Sequence, residues 1–398
     1  MSKVSKKRVS SVEQIEKSSK KRKSTKDEIV IINKEIKTLD DLIDLGMSYD
    51  PNKKYNINLF KLNKIVPVLT NLKNVIGMEN VKKSIVGQII YFLQDFQEKN
   101  QDMLHTVIQG PPGVGKTMLG HIIGQIYWEL DIIQTDEDSN SIVQVVKQYK
   151  LLKKYKDSLD GFIIDDDSDN DLDNDSDNDS NNKSKLKNKS NFNPDLKFKI
   201  AKRSNLIAKY LGQTAAKTQA VIDDAVGGVL FIDEAYSLGN SEGGDSFAKE
   251  CIDTINQNLT EKKNQLLVII AGYEKALEEC FFAYNEGLNR RFPFRYTIDA
   301  YTHDELAQIF CKMVKEINTT PGMNWEVKIP TSNLEQFFKT HYLLFPNFGG
   351  DIESFLLSVK IQHGIRVFCL PTEEKRKLIL KDLENALSIY RINKEKTN

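Results

Sequence analysis

The 398-residue sequence has no apolar run approaching 18 residues, no close pair of cysteines and no net charge. Each absence excludes something. Without a long apolar run, no stretch reads as a membrane-crossing helix, and the start "MSKVSKKRVSSVEQ" lacks the apolar core of a signal peptide, so the reading is a soluble, intracellular protein with no membrane partner. The four cysteines, Cys251, Cys280, Cys311 and Cys369, lie far apart, which fits a reducing compartment and gives neither a zinc pattern nor a thioredoxin-like motif. The five histidines are scattered, with no H-E-x-x-H, so no protein-built metal centre is expected. The 56 Lys and Arg equal the 56 Asp and Glu. No overall field therefore gathers nucleic acid or an anionic surface, and such a partner would need a local patch.

Two stretches lack the apolar residues a core requires. Residues 1–28 are rich in Lys and Ser, with "KKR" and "KKRK", and read as a disordered basic tail. Residues 136–195 contain "DDDSDNDLDNDSDNDSNNKSKLKNKS" and read as a disordered acidic insertion. The Asp/Asn run lacks the glycine and the closing glutamate of a calcium-binding EF-hand loop.

Elsewhere, buried-strand patterns alternate with helical ones. "LHTVIQG", "FKIAKRSNLI", "GVLFIDEA" and "QLLVIIAGY" read as strands, separated by "TMLGHIIGQIYWEL", "TAAKTQAVIDDA" and "SFAKECIDTINQNL" as helices. Continuous apolar strands joined through helices specify an α/β fold, a parallel sheet covered on both faces. From about residue 301 the strand signals fade. Thr302 stands three residues before Glu305, and Ser332 three before Glu335, which predicts capping boxes opening helices of a small C-terminal helical lid domain. The expected layout is 29–71 as an N-terminal linker segment, 72–300 as the α/β domain and 301–393 as the lid.

"GPPGVGKT", residues 110–117, fits G-x-x-x-x-G-K-[ST] and lies between a predicted strand and a predicted helix. Its backbone, from Gly110 through Pro111, Pro112, Gly113, Val114 and Gly115, can turn so that N–H groups face phosphate oxygens, helped by the positive helix end. Lys116 then reaches the β- and γ-phosphates, and Thr117 offers its hydroxyl to Mg²⁺. "VLFIDEA" brings Asp233 and Glu234 to the end of a central strand, the edge where open α/β sheets bind ligands. There Asp233 would hold hydrated Mg²⁺, and Glu234 would orient and deprotonate water. A base-reading N-K-x-D is absent, so the pair points to ATP hydrolysis.

In order, "GPPGVGKT", "YLGQTAAKT", "GGVLFIDEAYSL", "FAKECIDTI", "VIIAGY", "GLNRRF" and "YTHDEL" resemble the AAA+ ATPases of the CbbX/CfxQ type, which include the stage V sporulation protein K group. The resemblance implies a P-loop ATPase assembled as a ring, usually hexameric, with ATP between subunits. It implies that Ile76 and Gly77 lie against adenine and that Arg291 points at the neighbouring subunit's γ-phosphate, with Arg290 standing where relatives commonly have serine. It also places Tyr210, Leu211 and Gly212 in a loop lining the pore, where an aromatic gives sequence-tolerant grip on a protein substrate and glycine lets the loop flex. Two positions depart from AAA+ habit. Tyr273 stands where many members carry a polar sensor, and "NFGGDIESF" has no arginine where relatives carry an asparagine-arginine pair. The alternative function is a nucleic-acid-associated ATPase acting through the basic tail.

Overall fold

The computed structural model describes residues 29–96, 102–133, 196–210, 212–239, 245–318 and 324–395. The basic tail, the acidic insertion and Leu211 lie outside the described residues.

Five strands form one sheet: β1 (Thr106–Gln109), β2 (Phe198–Ala201), β3 (Gly228–Ile232), β4 (Leu266–Gly272) and β5 (Phe294–Thr297). Their order is β2-β3-β4-β1-β5, and every pairing is parallel. β1, β3 and β4 are buried along their whole length, as continuous apolar strands require when both faces are covered. Alternate residues serve opposite faces. Val229 and Phe231 of β3 join a core with the helices Leu59–Lys73, Glu79–Leu93 and Lys116–Glu129. Leu230 and Ile232 join the other core, with Cys251, Ile252, Ile255 and Leu259 of the helix Ser246–Glu261. Full burial of each large apolar side chain stabilises the fold by about 1.5–3 kcal/mol.

Residues 29–71, expected to link domains, hold two helices, Leu39–Met47 and Leu59–Lys73. Leu42, Leu59, Leu62, Ile65 and Leu69 of these helices are at most 1% exposed and belong to the main core. The reason is visible in their spacing, which places one apolar stripe along each helix.

After β5 the chain is helical: His303–Ile317, Thr331–His341, Phe348–Val367 and Leu380–Glu395. Two-residue strands, Glu326–Val327 and Lys377–Leu378, pair between these helices. The Thr302 capping box is present, with the Thr302 hydroxyl accepting from the Glu305 N–H and Glu305 accepting from the Thr302 N–H. The Ser332 box is not. That helix begins one residue earlier, at Thr331 behind Pro330, so Ser332 already lies inside the first turn and cannot act as its cap.

Because every strand points the same way, Gly110, Asp233 and Tyr273 emerge together at one edge of the sheet. The helix Lys116–Glu129 runs from that edge to the opposite one, a span of about 21 Å. β2 begins at Phe198, level with Val229 at the start of β3. The chain flanking the acidic insertion is thus at the edge far from these three residues.

Candidate active site

The loop Gly110–Gly115 turns back on itself through three glycines with positive φ, Gly110 (155°), Gly113 (71°) and Gly115 (89°). Gly115 is the left-handed N-cap of the helix Lys116–Glu129, whose unpaired N–H groups face the loop's hollow. Gly113 is constrained twice, because a Cβ there would stand 1.8 Å from the Asn347 carbonyl oxygen. The Gly349 N–H donates to the Gly113 carbonyl at 3.1 Å, so the loop is bonded to the start of the helix Phe348–Val367 through backbone alone.

A cleft of about 390 Å³ is lined by Pro112, Gly113, Gly115, Lys116, Thr117, Asp233, Glu234, Tyr236, Gly272 and Tyr273. Lysine, threonine and the two carboxylates, separated by more than 110 positions in the chain, meet because β4 alone lies between β1 and β3. Lys116 Nζ donates to the carbonyls of Gly110 (2.9 Å) and Pro111 (2.7 Å). Its ammonium also lies 5.2 Å from the centroid of the Tyr273 ring. Burial lowers its pKa, and the negative charges of Asp233 and Glu234 oppose that shift. The cleft therefore combines a half-buried cation, a cradle of backbone N–H groups and two carboxylates, the equipment for binding and cleaving a phosphoanhydride.

Asp233 continues the sheet, its N–H donating to the Ala201 carbonyl at 3.0 Å. Glu234 follows in the left-handed region (φ 51°, ψ 47°) as the chain enters the turn Ala235–Leu238. Such a conformation in a non-glycine residue costs about 1–3 kcal/mol and persists only where neighbours fix it. It turns the exposed Glu234 into the cleft beside Asp233. Tyr236, three residues after Asp233, was not singled out from sequence. Burial, then the charge of Glu234, pushes its hydroxyl up to about 12, so it stays a protonated donor. Its ring lies 5.4 Å from that of Tyr273. Its only signal in the chain was its place in "DEAYSL".

Ile76 and Gly77 are not among the residues that line this cleft. A Cβ on Gly77 would meet Glu305 at 2.6 Å and Tyr301 at 3.3 Å, and the Tyr301 hydroxyl donates to the Val114 carbonyl at 3.0 Å. The segment is thus held where the phosphate loop meets the helical domain. The two arginines differ. Arg291 donates to the Thr260 hydroxyl (3.0 Å) and the Gly287 carbonyl (2.9 Å) of its own chain, whereas Arg290 is exposed and makes no hydrogen bond or ion pair among the described residues. Tyr210 is 69% exposed, and Gly212, at φ 78°, faces open space. No group of three or more potential metal-ligating side chains occurs among the described residues, and none of their helices is long and apolar enough to cross a membrane.

Residues 184–299 match the profile of the AAA family, "ATPase family associated with various cellular activities". The chain is 35% identical over 365 residues to a putative cfxQ-like protein of Acanthamoeba polyphaga mimivirus, covering 90% of this chain and 74% of the relative. It is 25% identical over 262 residues to stage V sporulation protein K of Bacillus subtilis, covering 64% of this chain and 62% of that protein. A 109-residue stretch, 27% of this chain and 19% of the relative, is 43% identical to the ESX-1 secretion system protein EccA1 of Mycobacterium tuberculosis.

Proposed function

The chain belongs to the cfxQ-like AAA ATPases, and from that premise we propose that it is a ring-forming motor that spends ATP on remodelling a protein substrate. The observation that carries the remodelling step is Tyr210, an aromatic ring left 69% exposed on a loop that leaves the sheet beside the catalytic edge. Set on a loop two residues before a glycine that faces open space, such an aromatic gives apolar grip on a chain of any sequence.

In this reading the N–H groups of Gly113 to Thr117 hold the ATP phosphates, and Lys116 leaves the carbonyls of Gly110 and Pro111 to meet the β- and γ-phosphate oxygens. Thr117 and Asp233 share the cleft and supply the hydroxyl and carboxylate that would hold Mg²⁺. When bound with the nucleotide, that ion neutralises charge between the β- and γ-phosphates. Glu234 orients a water and takes its proton, and the neutral Tyr236 hydroxyl beside it steadies the carboxylate. Ile76 and Gly77 border the base. Arg290 takes the role in trans, because Arg291 is occupied within its own subunit.

The test measures ATP turnover with and without a permanently unfolded polypeptide, carboxymethylated lactalbumin. Wild type is expected to be stimulated, and Tyr210→Ala to lose stimulation at least tenfold more than it loses basal turnover. Undiminished stimulation in Tyr210→Ala would overturn the grip.

A further inference from the structure

The turn that follows Glu234 is tied to the segment entering the Tyr210 loop by the side chain of Arg203. Arg203, two residues after β2 at the start of the helical turn Arg203–Leu206, donates through Nη1 to the carbonyls of Ser237 (2.7 Å) and Leu238 (3.0 Å) and through Nη2 to Asp245 Oδ2 (2.6 Å). Asp245 in turn caps the helix Ser246–Glu261, its Oδ1 accepting from the N–H groups of Phe247 (3.0 Å) and Ala248 (3.2 Å). The guanidinium is a rigid planar fork, so its three acceptors are held in one geometry relative to β2. Arg203 also lines a second cleft, of about 490 Å³, that shares Asp233 and Glu234 with the first.

On its other side, Arg203 begins a stiff path to the loop. Lys217 Nζ donates to the carbonyls of Ser204 (2.7 Å) and Ile207 (2.8 Å), and the Thr218 hydroxyl donates to that of Leu206 (3.1 Å). The Ala208 N–H reaches the Thr214 hydroxyl at 3.3 Å. The foot of the loop is thus bonded to the helix Thr214–Ala225, while Tyr210 and Gly212 remain open. At the catalytic end, the left-handed backbone of Glu234 needs neighbours to fix it, and the Arg203 bonds to Ser237 and Leu238 hold the turn it enters.

We propose that Arg203 is a positioning residue that transmits the state of the catalytic turn, Asp233 to Leu238, to the Tyr210 loop. The proposal rests on the reading of that loop as the working element, but its test needs no protein substrate. Hydrogen–deuterium exchange of peptides spanning 203–213 is measured on the full chain with Mg·ADP and with Mg·ATPγS, alongside the affinity for mant-ADP.

Wild type is expected to show at least a threefold difference in exchange rate between the two nucleotides. In Arg203→Ala that difference disappears, while mant-ADP affinity stays within about threefold. Arg203→Lys keeps the charge but not the fork, and Asp245→Asn weakens one arm; both are expected to reduce the difference, and they carry the test should Arg203→Ala not fold. A merely structural tie would raise exchange equally with both nucleotides and leave their ratio intact. That outcome, or a wild-type loop whose exchange ignores the nucleotide, would overturn the proposal. Failure of Tyr210→Ala to lose stimulation would instead remove the grip and leave transmission standing.

Discussion

His105 is the residue before β1, the strand that carries the phosphate loop, and it is 1% exposed. The Val268 N–H donates to its Nδ1 at 3.1 Å, so the ring's proton sits on Nε2 and is donated to the Leu259 carbonyl at 2.9 Å. Both nitrogens are satisfied only in the neutral ring. Burial lowers its pKa to about 4, with the Leu259 bond opposing and the nearby Arg291 charge reinforcing the shift. The ordinary value is about 6.5, so below that pH the unfolded chain takes up a proton that the native one refuses. The stability His105 contributes is therefore complete above pH 6.5 and lost as pH falls from 6.5 towards 4. The full loss is about 3 kcal/mol, of which about 2 kcal/mol is gone by pH 5. Urea unfolding at pH 7.5 and 5.0 measures it, with His105→Gln as reference. Burial also lowers the pKa values of His121 and His341, but these contribute equally to both proteins and cancel. Wild type should lose about 2 kcal/mol more than the variant between the two pH values. Equal losses would refute the buried neutral tautomer.

The two remaining predictions concern the phosphate loop and the arginines. Gly113→Ala places a Cβ 1.8 Å from the Asn347 oxygen at φ 71°. It is expected to weaken mant-ADP binding at least tenfold, while Gly350→Ala, with nothing within 4 Å, leaves it unchanged. Arg290→Ala should lower ATP turnover by about a thousandfold at unchanged mant-ADP affinity, the order expected for a cation supplied in trans. Arg291→Ala should instead cost about 1–2 kcal/mol of stability through its lost bonds to Thr260 and Gly287. The opposite pattern would return the trans role to Arg291.

The parts of the site that were legible in the sequence are those whose chemistry is local. Gly110 to Thr117 need only a preceding strand and a following helix, and Asp233–Glu234 need only a central apolar strand before them. Continuous burial of β1, β3 and β4 supplied both. Arg203 could not be read this way, since its role depends on Ser237 and Asp245, more than 30 residues on, and neither spacing nor residue type announces it. The two arginines of "GLNRRF" show the same limit. Their type was plain, but which one is free was decided by Thr260 on another helix.

The bond between the Gly349 N–H and the Gly113 carbonyl is harder still to read, because it joins residues 236 apart through backbone atoms only. A backbone contact leaves no mark on side-chain chemistry. Its only sequence trace is the requirement that nothing project from either residue, since a Cβ on Gly349 would itself lie 2.8 Å from the Gly113 oxygen. "NFGGDIESF" lacks an arginine, but its Gly349 lets the start of the helix Phe348–Val367 bond to the phosphate loop. A missing side chain there is a condition for contact. Any side chain substituted at Gly349, arginine included, would press its Cβ against the Gly113 oxygen of the phosphate loop.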